Sequence, residues 1–222
     1  MLVLLSISPV WILPAGAETW KLTSLDWQPY AGTEMANQGN SIQKLRILLE
    51  KQGITLVVEY YPWKRAQFLA RKPEYVGYFP AWPEEVAEDF VASPPIDWSV
   101  LGYIKEKHSR VEFNTVQELF KNYTVGIVFT YVYPQAVQKA MTAYPEHTDK
   151  SPDEVSLLRK LSLGRFQVAL TDPKVMMYLA EKEKISNIEP MTKRLEKKPL
   201  VIAFRKGADN QKRITLLESV LK

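Results

Sequence analysis

The chain has 222 residues, of which 46% are hydrophobic, 24% charged and 11% aromatic; this excludes a disordered polymer and leaves room for one domain or two small ones. Its net charge of +4 is spread out, and the densest basic run, Lys193-Arg194 to Lys197-Lys198, is broken by Glu196, so no nucleic-acid partner is expected. With no cysteine and only His108 and His147 to supply imidazole, thiol chemistry and cysteine-ligated zinc are excluded, and no metal site is expected.

Residues 1–17 carry no charge, residues 2–13 are almost wholly apolar, and Ala15-Gly16-Ala17 precedes Glu18. An apolar core followed by a small-x-small triplet predicts a cleaved export signal, although no Lys or Arg precedes the core. Without cysteine there is no site for a lipid anchor, and the uncharged stretch 122–138 contains Gly126 and Pro134, so no membrane insertion is expected. The expected product is a free monomeric protein of a Gram-negative periplasm.

Residues 20–25 alternate as a strand. Residues 40–52 place Ile42, Leu45, Leu48 and Leu49 at helical spacing and end at Gly53. Residues 54–61 are β-branched and aromatic, a second strand, and Pro62 opens a short helix carrying Lys64, Arg65 and Phe68. Residues 75–79 are a third strand, and the β-α-β-α-β order calls for a mainly parallel sheet. The second half repeats this order, with a strand at 123–128 and a helix at 134–143. Ser151-Pro152-Asp153-Glu154 predicts a helix start in which Ser151 caps and Glu154 closes a capping box. That helix runs through Leu157, Leu158 and Leu161 to Gly164. A strand at 166–171 follows, and Asp172-Pro173 caps the next helix. Extended runs at 98–105 and 199–204 link the two units, and a helix at 209–221 ends the chain. The expected fold is α/β with two lobes: lobe one from 18–100 and 199–222, lobe two from 101–198, two crossover strands as hinge, and a ligand cleft between.

The nine glycines never form G-x-G, so neither the dinucleotide fingerprint nor the phosphate loop is present and no cofactor is expected. Ser41-Ile42-Gln43-Lys44 and Ser219-Val220-Leu221-Lys222 both match the acyltransferase pattern S-x-x-K; two hits in unrelated contexts mark chance.

Several stretches are shared with one family: Asp26-Trp27-Gln28-Pro29-Tyr30, Tyr61-Pro62-Trp63-Lys64-Arg65-Ala66, and Gly77-Tyr78-Phe79-Pro80-Ala81-Trp82 with Ser93-Pro94-Pro95-Ile96. Val125-Gly126-Ile127-Val128, the run from Leu163 to Asp172 and Lys198-Pro199-Leu200-Val201-Ile202-Ala203-Phe204 continue the match. In this order the chain resembles the family 3 bacterial extracellular solute-binding proteins, which bind amino acids and related polar solutes in the periplasm. The resemblance implies the type II-like periplasmic-binding-protein fold, a small polar ligand, and an ABC permease or membrane sensor as partner.

The resemblance also places the ligand at the carboxyl ends of the strands, as α/β sheets in general do. Trp27, Tyr30, Trp63 and Trp82 are the expected aromatic walls, at the cleft edge. Tyr131, with Tyr133, sits where the family's first lobe-two loop meets the ligand, and Asp172 matches the carboxylate that often receives a ligand amine. The family's arginine after the third strand is missing: Trp82-Pro83-Glu84-Glu85-Val86-Ala87-Glu88 contains none. Arg65, Lys64 or Arg165 would have to replace it. A non-enzyme is expected. The alternative is a dehydratase-like enzyme drawing a carboxyl from Glu84, Glu85, Glu88 or Asp172, although a charged helical face is the expected role of the glutamate cluster.

Overall fold

The computed structural model describes residues 18–221; the export segment expected at 1–17 lies outside them. Strand β1 (Thr19–Ser24), helix α1 (Asn40–Glu50), β2 (Thr55–Tyr60), α2 (Trp63–Leu69) and β3 (Gly77–Ala81) form the first unit. β1 lies between two parallel neighbours, with β2 in register from Thr19↔Thr55 to Ser24↔Tyr60 and β3 at Leu22↔Gly77. The stripe Ile42, Leu45 and Leu49 of α1 is buried, as the i, i+3, i+7 spacing requires.

The short β4 (Phe90–Ala92) and the long β5 (Asp97–Glu106) lead through α3 (Val116–Asn122) into the second unit. There β6 (Val125–Val128), α4 (Gln135–Ala143), β7 (Thr148–Ser151), α5 (Glu154–Ser162) and β8 (Val168–Thr171) repeat the pattern, with β6 between parallel β7 and β8. Helix α6 (Pro173–Lys182), strand β9 (Ile188–Arg205) and α7 (Ala208–Val220) complete the chain.

The units join through their third strands. β3 pairs antiparallel with β9, β8 pairs antiparallel with β5, and β5 and β9 pair with each other from Asp97↔Leu200 to Glu106↔Ile188. The resulting order is β2-β1-β3-β9-β5-β8-β6-β7, with β4 also on β9. This is the expected two-lobe α/β architecture, crossed by two adjacent antiparallel strands. In both units the first strand is central, so the chain reverses its winding direction beside it; the crevice at such a reversal, outside the carboxyl strand ends, is where α/β sheets place ligands.

Three local features differ from the sequence expectation. β9 spans 18 residues rather than 199–204, because its exposed residues Thr192, Lys193 and Arg194 carry no apolar alternation. β7, Thr-Asp-Lys-Ser, is a polar edge strand without a hydrophobic signal. Helix α5 is capped by Asp153, which accepts from Ser156 N at 2.7 Å. Ser151 belongs to β7, and Glu154 turns inward instead of closing a capping box. The Asp172-Pro173 start of α6 is formed as expected, with Asp172 accepting from the Lys174 and Val175 amides.

Candidate functional site

The loops that follow the parallel strands of one lobe meet those of the other. After β1, the turn at Trp27 and Tyr30 stacks the two rings at 4.7 Å. After β3, Trp82 stands edge-on to Trp27 at 6.0 Å. Across the cleft, Tyr131 and Tyr133 from the loop after β6 approach Trp82 at 5.6 and 6.5 Å. Asp172, after β8, accepts from the Tyr30 hydroxyl at 3.0 Å. Trp63, after β2, opens α2 and lies edge-on to Tyr78 at 5.5 Å. Six of the seven expected site residues thus converge. Arg65 is the seventh: it lies exposed on α2, its guanidinium 5.8 Å from the Tyr61 ring centroid and apart from the cluster. Lys64 and Arg165 are exposed as well.

The aromatic residues are core rather than edge. Trp27, Tyr30, Trp63 and Trp82 are each 5% exposed or less, because the lobes are shut on them. The void that the three tryptophans enclose with Leu25, Pro80, Glu85, Tyr131 and Leu200 is about 10 Å³, room for one water. Beside it a groove of about 520 Å³ opens between the lobes, lined by Asp26, residues 60–64, residues 128–131 and residues 152–154. That is the size of a small-molecule site.

Two carboxyls that the sequence pattern did not single out as paired lie at the cluster. Glu85 is buried, not on a charged helical face: its 3-10 turn, Pro83–Glu85, directs it inward. It accepts from Trp63 Nε1 at 2.8 Å and from Trp82 N at 3.1 Å. Burial pushes it up to about 7, against the opposing pull of the Trp82 amide, the Trp63 indole, Lys64 and the Val132 amide. Glu84 and Glu88 are the exposed members of that cluster.

Glu154 accepts from the Thr171 hydroxyl at 2.5 Å. Burial pushes it, too, up to about 7; Thr171, Tyr131 and Trp27 oppose the shift and Asp172 adds to it. The signal for Glu154 is present in the sequence: it shares the spacing of Leu157, Leu158 and Leu161, the buried stripe of α5. Trp27 Nε1 in lobe one and Glu154 Oε2 in lobe two make no hydrogen bond of good geometry, although the two side chains face each other. Buried donors and acceptors are seldom left open.

Asp172, in contrast, is fully committed. Its Oδ2 accepts from Tyr30 and from Val100 N at 2.9 Å, and its Oδ1 from Lys174 N at 2.7 Å and Val175 N at 3.4 Å. Burial still raises its pKa against those four donors. Behind Trp82, the buried Lys198 lies 5.7 Å from the ring centroid and is paired with Glu84 and Glu196. Among the described residues no three metal-ligating side chains converge, and no helix is long and apolar enough to cross a membrane.

No protein-family model and no curated protein sequence matches the chain. Solved structures match its fold. A histidine kinase sensor domain with similarity to periplasmic binding proteins superposes with a TM-score of 0.77 at 17% identity, over 91% of this chain and 88% of that one. An ancestral arginine-binding protein bound to arginine gives 0.74 at 16% identity, over 90% and 91%. The GluR0 ligand-binding core in complex with L-glutamate gives 0.72 at 18% identity, over 93% of each. The periplasmic-binding-protein fold inferred from the resemblance is therefore the fold of this chain.

Proposed function

We propose that the chain is a periplasmic solute-binding protein that captures a small polar ligand, an amino acid or a related amine or amide, between its lobes. Lobe one comprises 18–100 and 199–222 and lobe two 101–198, closing about β5 and β9. The observation that carries this reading is the pair Trp27 Nε1 and Glu154 Oε2, which face each other from the two sides of a shut aromatic cleft without closing a well-formed hydrogen bond. A ligand that supplies their partners would bind both lobes at once and favour the closed form. Trp27, Tyr30, Trp63, Trp82 and Tyr131 form its walls, Arg65 remains a candidate only for the outer rim, and Asp172 fastens the lobes together. The bound form would be presented to an ABC permease or a membrane sensor; the fold likeness to a kinase sensor domain supports the second option as much as the first.

A thermal-shift screen of the purified protein against amino acids, amines, organic acids and small peptides tests the reading. A compound at a hundredfold excess over its Kd should stabilise the protein by about 2.7 kcal/mol. The absence of any shift would overturn it.

The second reading is an elimination enzyme on the same fold. Two buried carboxyls near neutrality, Glu85 and Glu154, are suited to general acid–base work. Mass spectrometry of the screened compound after incubation separates the two: an unchanged mass supports capture, and a loss of water that ceases in Glu154→Gln supports catalysis.

A further inference from the structure

The charges that line the cleft are mostly of one sign. Among the described residues around the void and the groove, the carboxyls are Asp26, Glu85, Asp153 and Glu154, and the single cation is the exposed Lys64. The buried Lys198 is already paired with Glu84 and Glu196. A ligand carboxylate drawn into this space would lose its water and gain no partner. An ammonium group meets the opposite situation. Glu154 Oε2 is a buried acceptor without a well-formed hydrogen bond, faced by the Trp27 indole and the Tyr131 hydroxyl, and the rings of Trp27, Trp63, Trp82 and Tyr131 line the void beside it, where aromatic faces attract cations.

Resting on the solute-binding reading above, we infer that the cleft selects a primary ammonium ion that carries no carboxylate, with Glu154 as its charge partner and Glu85 as the anionic support on the opposite lobe. The N–H groups of the ammonium donate to Glu154 Oε2, and the carbon chain lies in the adjoining groove against Trp63 and Tyr131. The groups facing Glu154 are Thr171 on β8, Tyr131 and Tyr133 after β6, Asp172 before α6 and Trp27 after β1. Those facing Glu85 are Trp63 and Lys64 on α2, Tyr78 on β3, the Trp82 amide, and Tyr131, Tyr133 and the Val132 amide from the loop after β6. Near neutrality both carboxyls are partly protonated in the empty cleft, so a cation that binds there drives a proton out. Affinity then rises with pH until the carboxyls are ionised, by about tenfold per pH unit for each proton released.

Matched pairs isolate the deciding group, because cadaverine and L-lysine, or putrescine and L-ornithine, differ only in the α-carboxylate. Calorimetry on the purified protein should show each diamine binding at least tenfold more tightly than its amino acid. Titrations in buffers of different ionisation enthalpy should show proton release with the diamine, reduced in Glu154→Gln, whose amide oxygen still accepts from Thr171. Amino acids that bind as tightly as their diamines would overturn the inference and leave solute capture standing. No binding by any of the four compounds would overturn the inference; only the wider screen can overturn solute capture itself. Should Glu154→Gln fail to fold, the wild-type pairs still decide.

Discussion

The hydroxyl of Tyr30 donates to Asp172 Oδ2 at 3.0 Å, joining residues 142 positions apart on opposite sides of the cleft. Val100 N and two α6 amides take up the rest of that carboxylate. The carboxylate that the sequence resemblance offers as an amine receptor is thus occupied by four donors of the protein itself. Hydrogen bonds to charged groups contribute about 1.5–3 kcal/mol, and this one joins the two lobes. Tyr30→Phe should lower stability in urea by an amount within that range and enlarge the ligand-free radius of gyration in small-angle scattering. An unchanged radius would show that Tyr30 does not hold the lobes.

The tryptophans separate packing from recognition. Trp82 is 2% exposed and donates to Ser99 Oγ at 2.9 Å, so Trp82→Ala should cost about 3–5 kcal/mol, the penalty for a core aromatic. Trp27→Phe keeps a stacking ring opposite Tyr30 and deletes Nε1. It should cost less stability in urea than Trp82→Ala, because a ring still fills most of the position, while weakening ligand binding in the thermal-shift screen. A large loss of stability in Trp27→Phe would assign the indole N–H a structural partner.

Stability should depend on pH with a definite sign. Glu85 and Glu154 titrate at about 7 in the fold, above their ordinary value of 4.5. Between those limits the folded protein keeps protons that the unfolded chain has lost, so unfolding free energy falls as pH rises and levels off above about 7. Each group contributes on the order of 3 kcal/mol. Glu59, held down at about 2 chiefly by its hydrogen bond from Lys21, acts in the opposite sense and only below 4.5. Urea melts at about pH 5 and about pH 8 check the slope, which the Glu85→Gln, Glu154→Gln double variant should flatten.

The fold was legible where apolar period and cap chemistry agree. The stripe of α1 and the Asp172-Pro173 cap both appear in the structure where the sequence places them. Of the candidate cluster, the family resemblance pointed to the strand-end rings and Asp172, which converge, but not to the pairing of Glu85 with Glu154. Glu154 lay hidden in a Ser-Pro-Asp-Glu start that accommodates two caps. Asp153 sits directly before the helix and takes the role, which frees Glu154 to continue the buried stripe of α5. Glu85 gave no periodic signal, since one 3-10 turn is too short to have a face. The extent of burial was not legible either: the rings after β1 and β3 are covered by the other lobe, a contact made by residues far away in the chain.

The processing site has its own test. The side chain of Glu18 is fixed by Trp20 Nε1 at 2.9 Å and Arg213 Nε at 2.9 Å, and its carbonyl accepts from Thr55 N at 2.8 Å. A protein cut after Ala17 would begin on this anchored residue. Expressed with its native start in a Gram-negative host, the protein should be released by osmotic shock with Glu18 as its first residue. Full-length protein retained in the cytoplasm would contradict the periplasmic assignment.

The central claim is that the ligand sits between lobes that must part to admit it. The chain contains no cysteine, so the pair Glu34→Cys, Lys182→Cys places its only thiols where Glu34 and Lys182 now meet across the cleft at 2.5 Å. A short bis-maleimide would then fix the closed form. The measurement is the melting-temperature shift given by each active compound from the screen, with cross-linking done before or after the compound is added. The account predicts no shift in protein linked beforehand, and retention of the compound through dialysis in protein linked afterwards. An equal shift in protein linked beforehand would place the ligand outside the cleft and contradict the account.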